Sequence, residues 1–386
     1  MQPPRSSYLP LPLMHLSFLF TGAGTILLGP TLPVFAQHWH LRDAQSGLII
    51  AASFLGLCSG AISVSRNLRL TLLRGYLIAA AAFLMLALTS NRPGGYPAGI
   101  FAVYLLGLGL GQVTTSVNLI AAVRYQAPWR RSSALSLLNF TWSVGAVLSP
   151  LVAGFSLAHA SLFALLIGFS IFATLLLTVM SLLTPAIARS SEPTPAALHK
   201  LALLPLAYFF AIFFLYGGLE AALGGWLSTY TLRYTSLGIA AAAYSTTALW
   251  AAFAVGRALA AVLLRSIPER PLRTAGVLLA TLATVALRGA HTGLGVGICA
   301  ACIGLGIGPF FPVTFSQLVA QAPSPRQAGA ATANVGLGSA VFAYLTGVIS
   351  TRMGSLHSAM ITPVLIAVGI LVLCAINIPG RHETST

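Results

Sequence analysis

The sequence predicts an all-α membrane protein with twelve transmembrane helices in two pseudo-symmetric six-helix bundles. Three observations lead there: apolar runs of spanning length recur along the chain, basic residues concentrate in alternate loops, and the chain resembles itself at a separation of about 195 residues.

Of 386 residues, 57% are hydrophobic and only 6% are charged. With a mean hydropathy of +0.90, the chain is too apolar for an ordinary soluble domain. A spanning helix needs about 20 apolar residues, and such runs lie near 11–36, 44–63, 71–90, 97–123, 132–157, 160–184, 201–230, 238–264, 272–290, 293–320, 327–351 and 356–378. The first runs past Pro30 and Pro33, too long for the apolar part of a secretory signal, and counts as a span. The predicted organisation is an N-terminal segment 1–10, a six-helix bundle 11–184, a linker 185–200, a second bundle 201–378 and a tail 379–386. The linker, PAIARSSEPTPAALHK from Pro185, is rich in proline and polar residues.

The net charge of +15 suggests a nucleic-acid partner only if the charge clusters on a polar domain, and no such domain is left over. The basic residues sit in loops instead. Placing the N-terminus inside puts Arg5, Arg66, Arg69, Arg74, Arg124, Arg130, Arg131, Arg189, Lys200, Arg265, Arg270, Arg273, Arg326 and Arg381 on the cytoplasmic side. Only Arg42, Arg92, Arg233, Arg288 and Arg352 fall opposite, and Arg257 is alone within a span. The positive-inside rule then makes both termini cytoplasmic, in a bacterial-type inner membrane. Cys58, Cys299, Cys302 and Cys374 all fall within spans and read as packing residues.

The internal repeat is carried by two passages. LLGLGLGQVTTSVNLIAAVRYQAP from Leu105 aligns with ACIGLGIGPFFPVTFSQLVAQAPSP from Ala301, setting Gly107, Gly109 and Gly111 against Gly304, Gly306 and Gly308. FLFTGAGTILLGPTLP from Phe18 aligns with FFLYGGLEAALGGWLS from Phe213, pairing Gly22 with Gly217 and Gly29 with Gly224. Spans one and four thus repeat as seven and ten. Two such halves, with a solute site near mid-membrane between them, are how many secondary transporters are built.

These residues resemble the major facilitator superfamily over nearly the whole chain, and within it the fucose permease-like sugar transporters. LYGGLEAALGGWLSTY in span seven is similar to that branch's Tyr-x-Gly-x-Glu/Gln element followed by Gly-x-Trp, and GPFFPVTFS in span ten to its Gly-Pro-x-Phe-Pro-x-x-Phe-Ser element. VGRALAAVLLRSIPER, closing span eight, matches a Gly-Arg segment common across the superfamily. The resemblance implies the major facilitator fold and sugar transport. There are departures. Fucose permease carries acidic residues on spans one and four, whereas span one here has no carboxylate and Thr114 takes the fourth-span position. The loop SVSRNLRL between spans two and three keeps its arginines but lacks the usual aspartate, so the gating contacts that residue supplies are not expected.

Of five acidic residues only Glu220 lies inside the membrane, where an ionisable group is costly and faces the bundle interior. It is the candidate proton-coupling residue and a candidate solute ligand. A carboxyl there can carry a proton or, ionised, accept hydrogen bonds from sugar hydroxyls; the bland alternative is a glutamic acid bonded to a neighbouring helix. Gly217, Gly218, Gly224 and Gly225 around it predict a helix that bends or breaks, as at a gate. Arg257 lies about 12 Å from the cytoplasmic end of its span, so a direct ion pair with Glu220 is not expected. A structural role, bonding helix-end carbonyls or snorkelling, is the simpler reading for it. Asp43, beside Arg42, reads as an N-cap for span two, and His15 as interfacial.

Span four carries Gln112, Thr114, Thr115, Ser116 and Asn118, more polar groups than a lipid-facing helix tolerates. One face is expected to line a cavity, with interhelical hydrogen bonding as the alternative. Candidate solute contacts are therefore Gln112, Thr115, Asn118, Asn139, Trp142, Tyr216, Glu220, Trp226, Gln317 and Asn334, since amides suit hydroxyls and rings stack on sugar C–H faces. No metal-ligand spacing, phosphate loop or nucleophile elbow appears, so no cofactor, metal or enzymatic activity is expected. The reading is alternating-access transport of a small neutral polar solute, a monosaccharide first, with proton symport through Glu220, by a monomer in the lipid bilayer. The alternatives are export of an amphipathic drug or lipid and proton-independent uniport.

Overall fold

The computed structural model describes residues 9–65, 67–125, 128–183, 201–264, 266–321 and 325–376, and every regular element among them is helical. The linker 185–200 and its Glu192, the tail with Glu383, and Arg5, Arg66, Arg189, Lys200, Arg265 and Arg381 lie outside the described residues. In chain order the helices are α1 (Leu11–Ile26), α2 (Leu28–His38), α3 (Asp43–Ile62), α4 (Leu68–Ser90), α5 (Tyr96–Arg124), α6 (Pro128–His159), α7 (Leu162–Leu183), α8 (Leu203–Tyr234), α9 (Ile239–Leu263), α10 (Glu269–Leu287), α11 (Gly293–Ile307), α12 (Phe310–Ala320), α13 (Pro325–Met353), α14 (Leu356–Ala359) and α15 (Ile361–Ala375).

Three expected spans are each built from two helices. Leu27 separates α1 from α2, Gly308 and Pro309 separate α11 from α12, and Met360 separates α14 from α15. Proline accounts for each interruption, because it has no N–H for the carbonyl four residues back. Pro30 leaves the Ile26 carbonyl without its partner, Pro309 that of Leu305, and Pro363 that of Ala359. Among the described residues, counting each broken pair once, eleven stretches are long and apolar enough to cross a membrane. The twelfth helix, α10, opens with Glu269, Arg270 and Arg273, which dilute its apolar character. Its 19 residues still extend about 28 Å.

The first seven helices pack among themselves, α1 on α6, α3 on α5, and α4 on α5 and α7. The later ones repeat the scheme, α9 on α11, α10 on α11 and α15, and α8 on α13. The two bundles meet where α3 lies on α13, α6 on α9, and α2 on α8 and α9. Helix α4 shows the division of faces expected in lipid: Leu70, Leu77, Leu84 and Leu88 point outward, while Tyr76, Ala79, Phe83 and Leu86 are buried.

The sequence repeat reappears as a repeat of close contacts. A Cβ on Gly107 would lie 2.0 Å from the Ser53 carbonyl oxygen, and one on Gly304 would lie 2.1 Å from that of Leu249. Gly111 and Gly308 face the carbonyls of Leu57 and Phe253 in the same way, and Gly22 and Gly217 those of Trp142 and Val335. Each glycine lets two helix backbones approach more closely than any side chain allows. The paired glycines Gly29 and Gly224 meet one another between the bundles, at 2.3 Å from a Cβ on Gly29 to the Gly224 oxygen.

One expectation is corrected here. Of the two outcomes that the glycines of span seven predict, a bend or a break, the break is absent: α8 runs continuously for 32 residues. Gly217 and Gly218 are filled from outside by the Val335 backbone and the Phe342 ring, Gly224 by the Trp250 indole, and Gly225 by Ile50. Neighbours occupy the space the missing side chains leave, and no proline lies nearby to take a hydrogen bond away.

Candidate functional site

Between the bundles lies a cavity of about 470 Å³, walled by α1, α2, α3, α5 and α6 of the first bundle and α8, α9, α12 and α13 of the second. Its wall is mostly apolar, with Ile26, Leu28, Ile50, Phe54, Leu57, Trp142, Trp250 and Phe311 among the larger contributors. The polar groups on it are Thr25, Ser53, Thr114, Ser339 and Glu220; among the described lining residues Glu220 is the one acidic side chain, and none is lysine or arginine.

Three features surround that carboxyl. Trp142 of α6 and Trp250 of α9 face each other edge to face across the seam between bundles, ring centroids 5.9 Å apart at 78°. Trp250 fits because position 224 is glycine, where a Cβ would come within 3.1 Å of the indole. Tyr216, one turn before Glu220, is stacked on Phe310 at 5.3 Å, and its buried hydroxyl has no hydrogen-bond partner. Arg257 lays its guanidinium 4.3 Å above the Phe253 ring and donates from Nη1 to Ser143 Oγ at 3.1 Å, so one bundle's cation bonds the other bundle's hydroxyl. Glu220 and Arg257 form no ion pair, the one such pair among the described residues being elsewhere.

The cavity reaches the end of the molecule that carries Ile62 and Gly329 and is shut at the other end. There Arg233 donates from Nη1 to Asp43 Oδ2 at 2.7 Å and from Nη2 to Asp43 Oδ1 at 2.6 Å. Ser350 Oγ donates to the same carboxylate, and the Ala44 amide donates to Thr351 Oγ1 at 2.8 Å. Asp43 is thus the first residue of α3 without being its cap, a correction to the sequence reading. Gln45 Oε1 takes the Arg42 amide at 2.9 Å, leaving the aspartate free for the partner bundle.

The structure brings Glu220, Trp142, Gly224 and Gly225 to the cavity wall and places the other candidates elsewhere. Gln112 accepts from Arg74 Nε at 3.2 Å and donates to Ser63 Oγ at 2.8 Å, while Arg74 Nη2 reaches the Ser63 carbonyl at 2.9 Å. This cluster ties together the ends of the helices flanking the loop that lacks its aspartate. The second bundle echoes it: Arg273, buried, donates to Gln317 Oε1 and, at 3.1 Å, to the Tyr208 hydroxyl. Asn334 donates to the Phe210 carbonyl at 2.8 Å, and Asn139 to the Leu135 carbonyl within its own helix. Trp226 is fully buried and donates to Ala343 O at 3.0 Å. Thr115 and Asn118 are half-buried on α5, away from the wall. Of the structural candidates, Arg257 bonds a hydroxyl rather than helix-end carbonyls, and Gly217 and Gly218 pack against α13. His15 bonds Thr141 Oγ1 at 2.8 Å, between two helices.

Trp250, Phe54, Ser53, Thr25 and Ser339 line the cavity without having been singled out. For Trp250 a signal was present: it stands mid-span, twelfth in a 25-residue helix, too deep for an interfacial belt. The others are ordinary packing residues in sequence; Ser53 and Phe54 of α3 and Ser339 of α13 reach the wall where those two helices meet, and Thr25 reaches it from α1.

A profile described as the Major Facilitator Superfamily matches residues 14–335. No curated protein matches the chain in sequence. Among solved structures, a D-xylose–proton symporter superposes with a TM-score of 0.80 at 13% identity, covering 97% of this chain and 99% of that one. A bacterial homologue of the human lysosomal transporter Spinster, in an inward-facing and occupied conformation, gives 0.73 at 15% identity over 95% and 94%. FucP, a major facilitator transporter in the outward conformation, gives 0.63 at 18% identity over 99% and 100%. At these identities the likeness is one of fold.

Proposed function

The chain belongs to the major facilitator superfamily, and from that premise we propose that it is a secondary active transporter whose solute binds in the central cavity against Glu220. The observation that carries this is the position of a lone carboxyl on the wall of a cavity shared by both bundles. The solute is a small neutral polar molecule with an apolar face, a monosaccharide first: hydroxyls bond the carboxylate, and C–H faces rest on Trp142 and Trp250. Transport proceeds by rocking of residues 11–184 against 201–378, with a proton carried on Glu220 favouring one of the two states. With the arginine-rich loops and both termini in the cytoplasm of an inner membrane, the Asp43 end faces outward and the cavity faces inward. The protein works as a monomer embedded in lipid.

A second reading, export of an amphipathic compound, is favoured by one observation: Gln112, Asn118, Asn139, Gln317 and Asn334 all lie off a wall that is largely apolar. Counterflow in proteoliposomes against a monosaccharide panel and a panel of hydrophobic cations separates the two. Exchange of a monosaccharide, undisturbed by the cations, supports the first; inhibition or exchange by the cations alone supports the second. Exchange of neither by folded protein contradicts both.

A further inference from the structure

We propose that Ser46 of α3 and Thr229 of α8 form a second solute station, on the route between the central cavity and the Asp43–Arg233 ion pair, where a hydroxyl of the solute is held between their two side chains once that end opens. The inference rests on reading the protein as a transporter of a small hydroxylated solute.

The contacts between α3 and α8 fix the placement. The helices run antiparallel, with Arg233 on Asp43 at one level and Gly225 on Ile50 at another, where a Cβ would come within 2.7 Å of the Ile50 side chain. On their helices Ile50 and Gly225 are also the cavity-wall residues nearest that end, so about 11 Å of helix separates the cavity from the ion pair. Ser46 and Thr229 stand midway, each within one turn of both contacts and therefore on the same face. At this level α13 joins the two helices as well: the Ala343 carbonyl accepts from Trp226 Nε1 at 3.0 Å and would lie 3.0 Å from a Cβ on Gly47.

Both hydroxyls are unpartnered. Ser46 is 1% exposed and Thr229 3% exposed, and neither side-chain oxygen has a hydrogen-bond partner. Helical Ser and Thr ordinarily return the hydroxyl to a carbonyl one turn back, as Thr231 does to Leu227 and Thr346 to Phe342, both at 2.8 Å. Ser228, next to Thr229, pairs with Thr246 at 2.7 Å. Burying a hydroxyl without a partner is costly, and here two such groups stand on facing helices between the cavity and its closed end. A hydroxyl both donates and accepts, so the pair is equipped to hold a neutral solute hydroxyl from two sides. When the ion pair parts, the solute meets this pair before it reaches Glu220.

The test uses the monosaccharide that the wild-type protein exchanges in counterflow, together with its monodeoxy analogues, supplied from the Asp43 side and separately from the opposite side. Ser46→Ala and Thr229→Val should each raise the KM from the Asp43 side roughly threefold to tenfold and leave the KM from the other side unchanged. For one monodeoxy analogue, already weakened in the wild type, the same substitutions should have no further effect, because the hydroxyl that the station holds is gone. Thr229→Ser keeps the hydroxyl and should recover the wild-type KM. Both apolar variants remove an unpartnered buried hydroxyl and should keep or raise the Tm, which separates lost affinity from lost fold; each decides by itself if the other does not fold. A KM from the Asp43 side that is unchanged, or that rises equally for the sugar and every analogue as a shift between states would make it, overturns the station. Wild-type protein that exchanges no monosaccharide contradicts the transport reading itself, and the station falls with it.

Discussion

Arg233 grips Asp43 with two parallel hydrogen bonds of 2.7 and 2.6 Å, joining the end of α8 to the start of α3 across 190 positions of sequence. Both partners belong to helices that also wall the cavity, so this ion pair is a latch between the bundles at the closed end. The arginine is 37% exposed, which places the pair at the lower end of bidentate ion-pair strengths, about 1–2 kcal/mol or a factor of roughly 5–30 in an equilibrium. Asp43→Asn should shift the population toward the state open at this end by that factor. The measurement is labelling of an introduced Ile50→Cys by an impermeant maleimide added from the Asp43 side. The exchanged pair Asp43→Arg with Arg233→Asp should recover much of the original closure.

The close approach of repeated glycines predicts a graded stability series. A methyl at Gly217 would meet the Val335 oxygen at 2.0 Å, one at Gly29 the Gly224 oxygen at 2.3 Å, and one at Gly168 nothing within 4 Å. Gly217→Ala and Gly29→Ala should each cost about 1–3 kcal/mol through overpacking, read as a lowered Tm in detergent. Gly168→Ala, on the lipid-facing side of a helix, should be neutral or slightly stabilising.

How much of this was legible beforehand follows from what each feature depends on. The helices and their repeat depend on local hydropathy and on glycine spacing, both visible along the chain, and the placement of Glu220 on the cavity wall followed from the cost of a carboxyl in lipid. The latch was not legible, because Asp43 beside Arg42 looks like an ordinary helix start until α8 delivers Arg233. The amides misled for a related reason: Gln112 and Gln317 are polar residues in apolar helices, but each faces an arginine of the preceding span, and only the three-dimensional pairing separates such a lock from a solute ligand. Pro30, Pro309 and Pro363, rather than the glycines of span seven, stand where helices break, whereas Pro33 and Pro150 lie within α2 and α6.

The lock around Gln112 predicts a kinetic signature. Gln112→Ala leaves Arg74 bonded to the Ser63 carbonyl alone and loosens the α3–α4 loop by about 1 kcal/mol. Turnover should fall while the KM for the solute stays unchanged, since Gln112 does not reach the cavity. A raised KM at constant kcat would instead make Gln112 a solute contact.

Trp250 should behave in the opposite way. Its indole forms part of the wall and pairs edge to face with Trp142. Trp250→Ala should raise the KM for the solute roughly threefold to tenfold, the worth of one aromatic contact, whereas Trp250→Phe should recover much of that loss. Counterflow at varied solute concentration measures both.

Glu220, the one acidic side chain among the described residues of the cavity wall, is proposed to couple solute movement to a proton. The most direct measurement compares wild type with Glu220→Gln in proteoliposomes, once in counterflow without a gradient and once with an imposed pH gradient. The variant should keep exchange and lose gradient-driven accumulation. Undiminished accumulation by Glu220→Gln would contradict it.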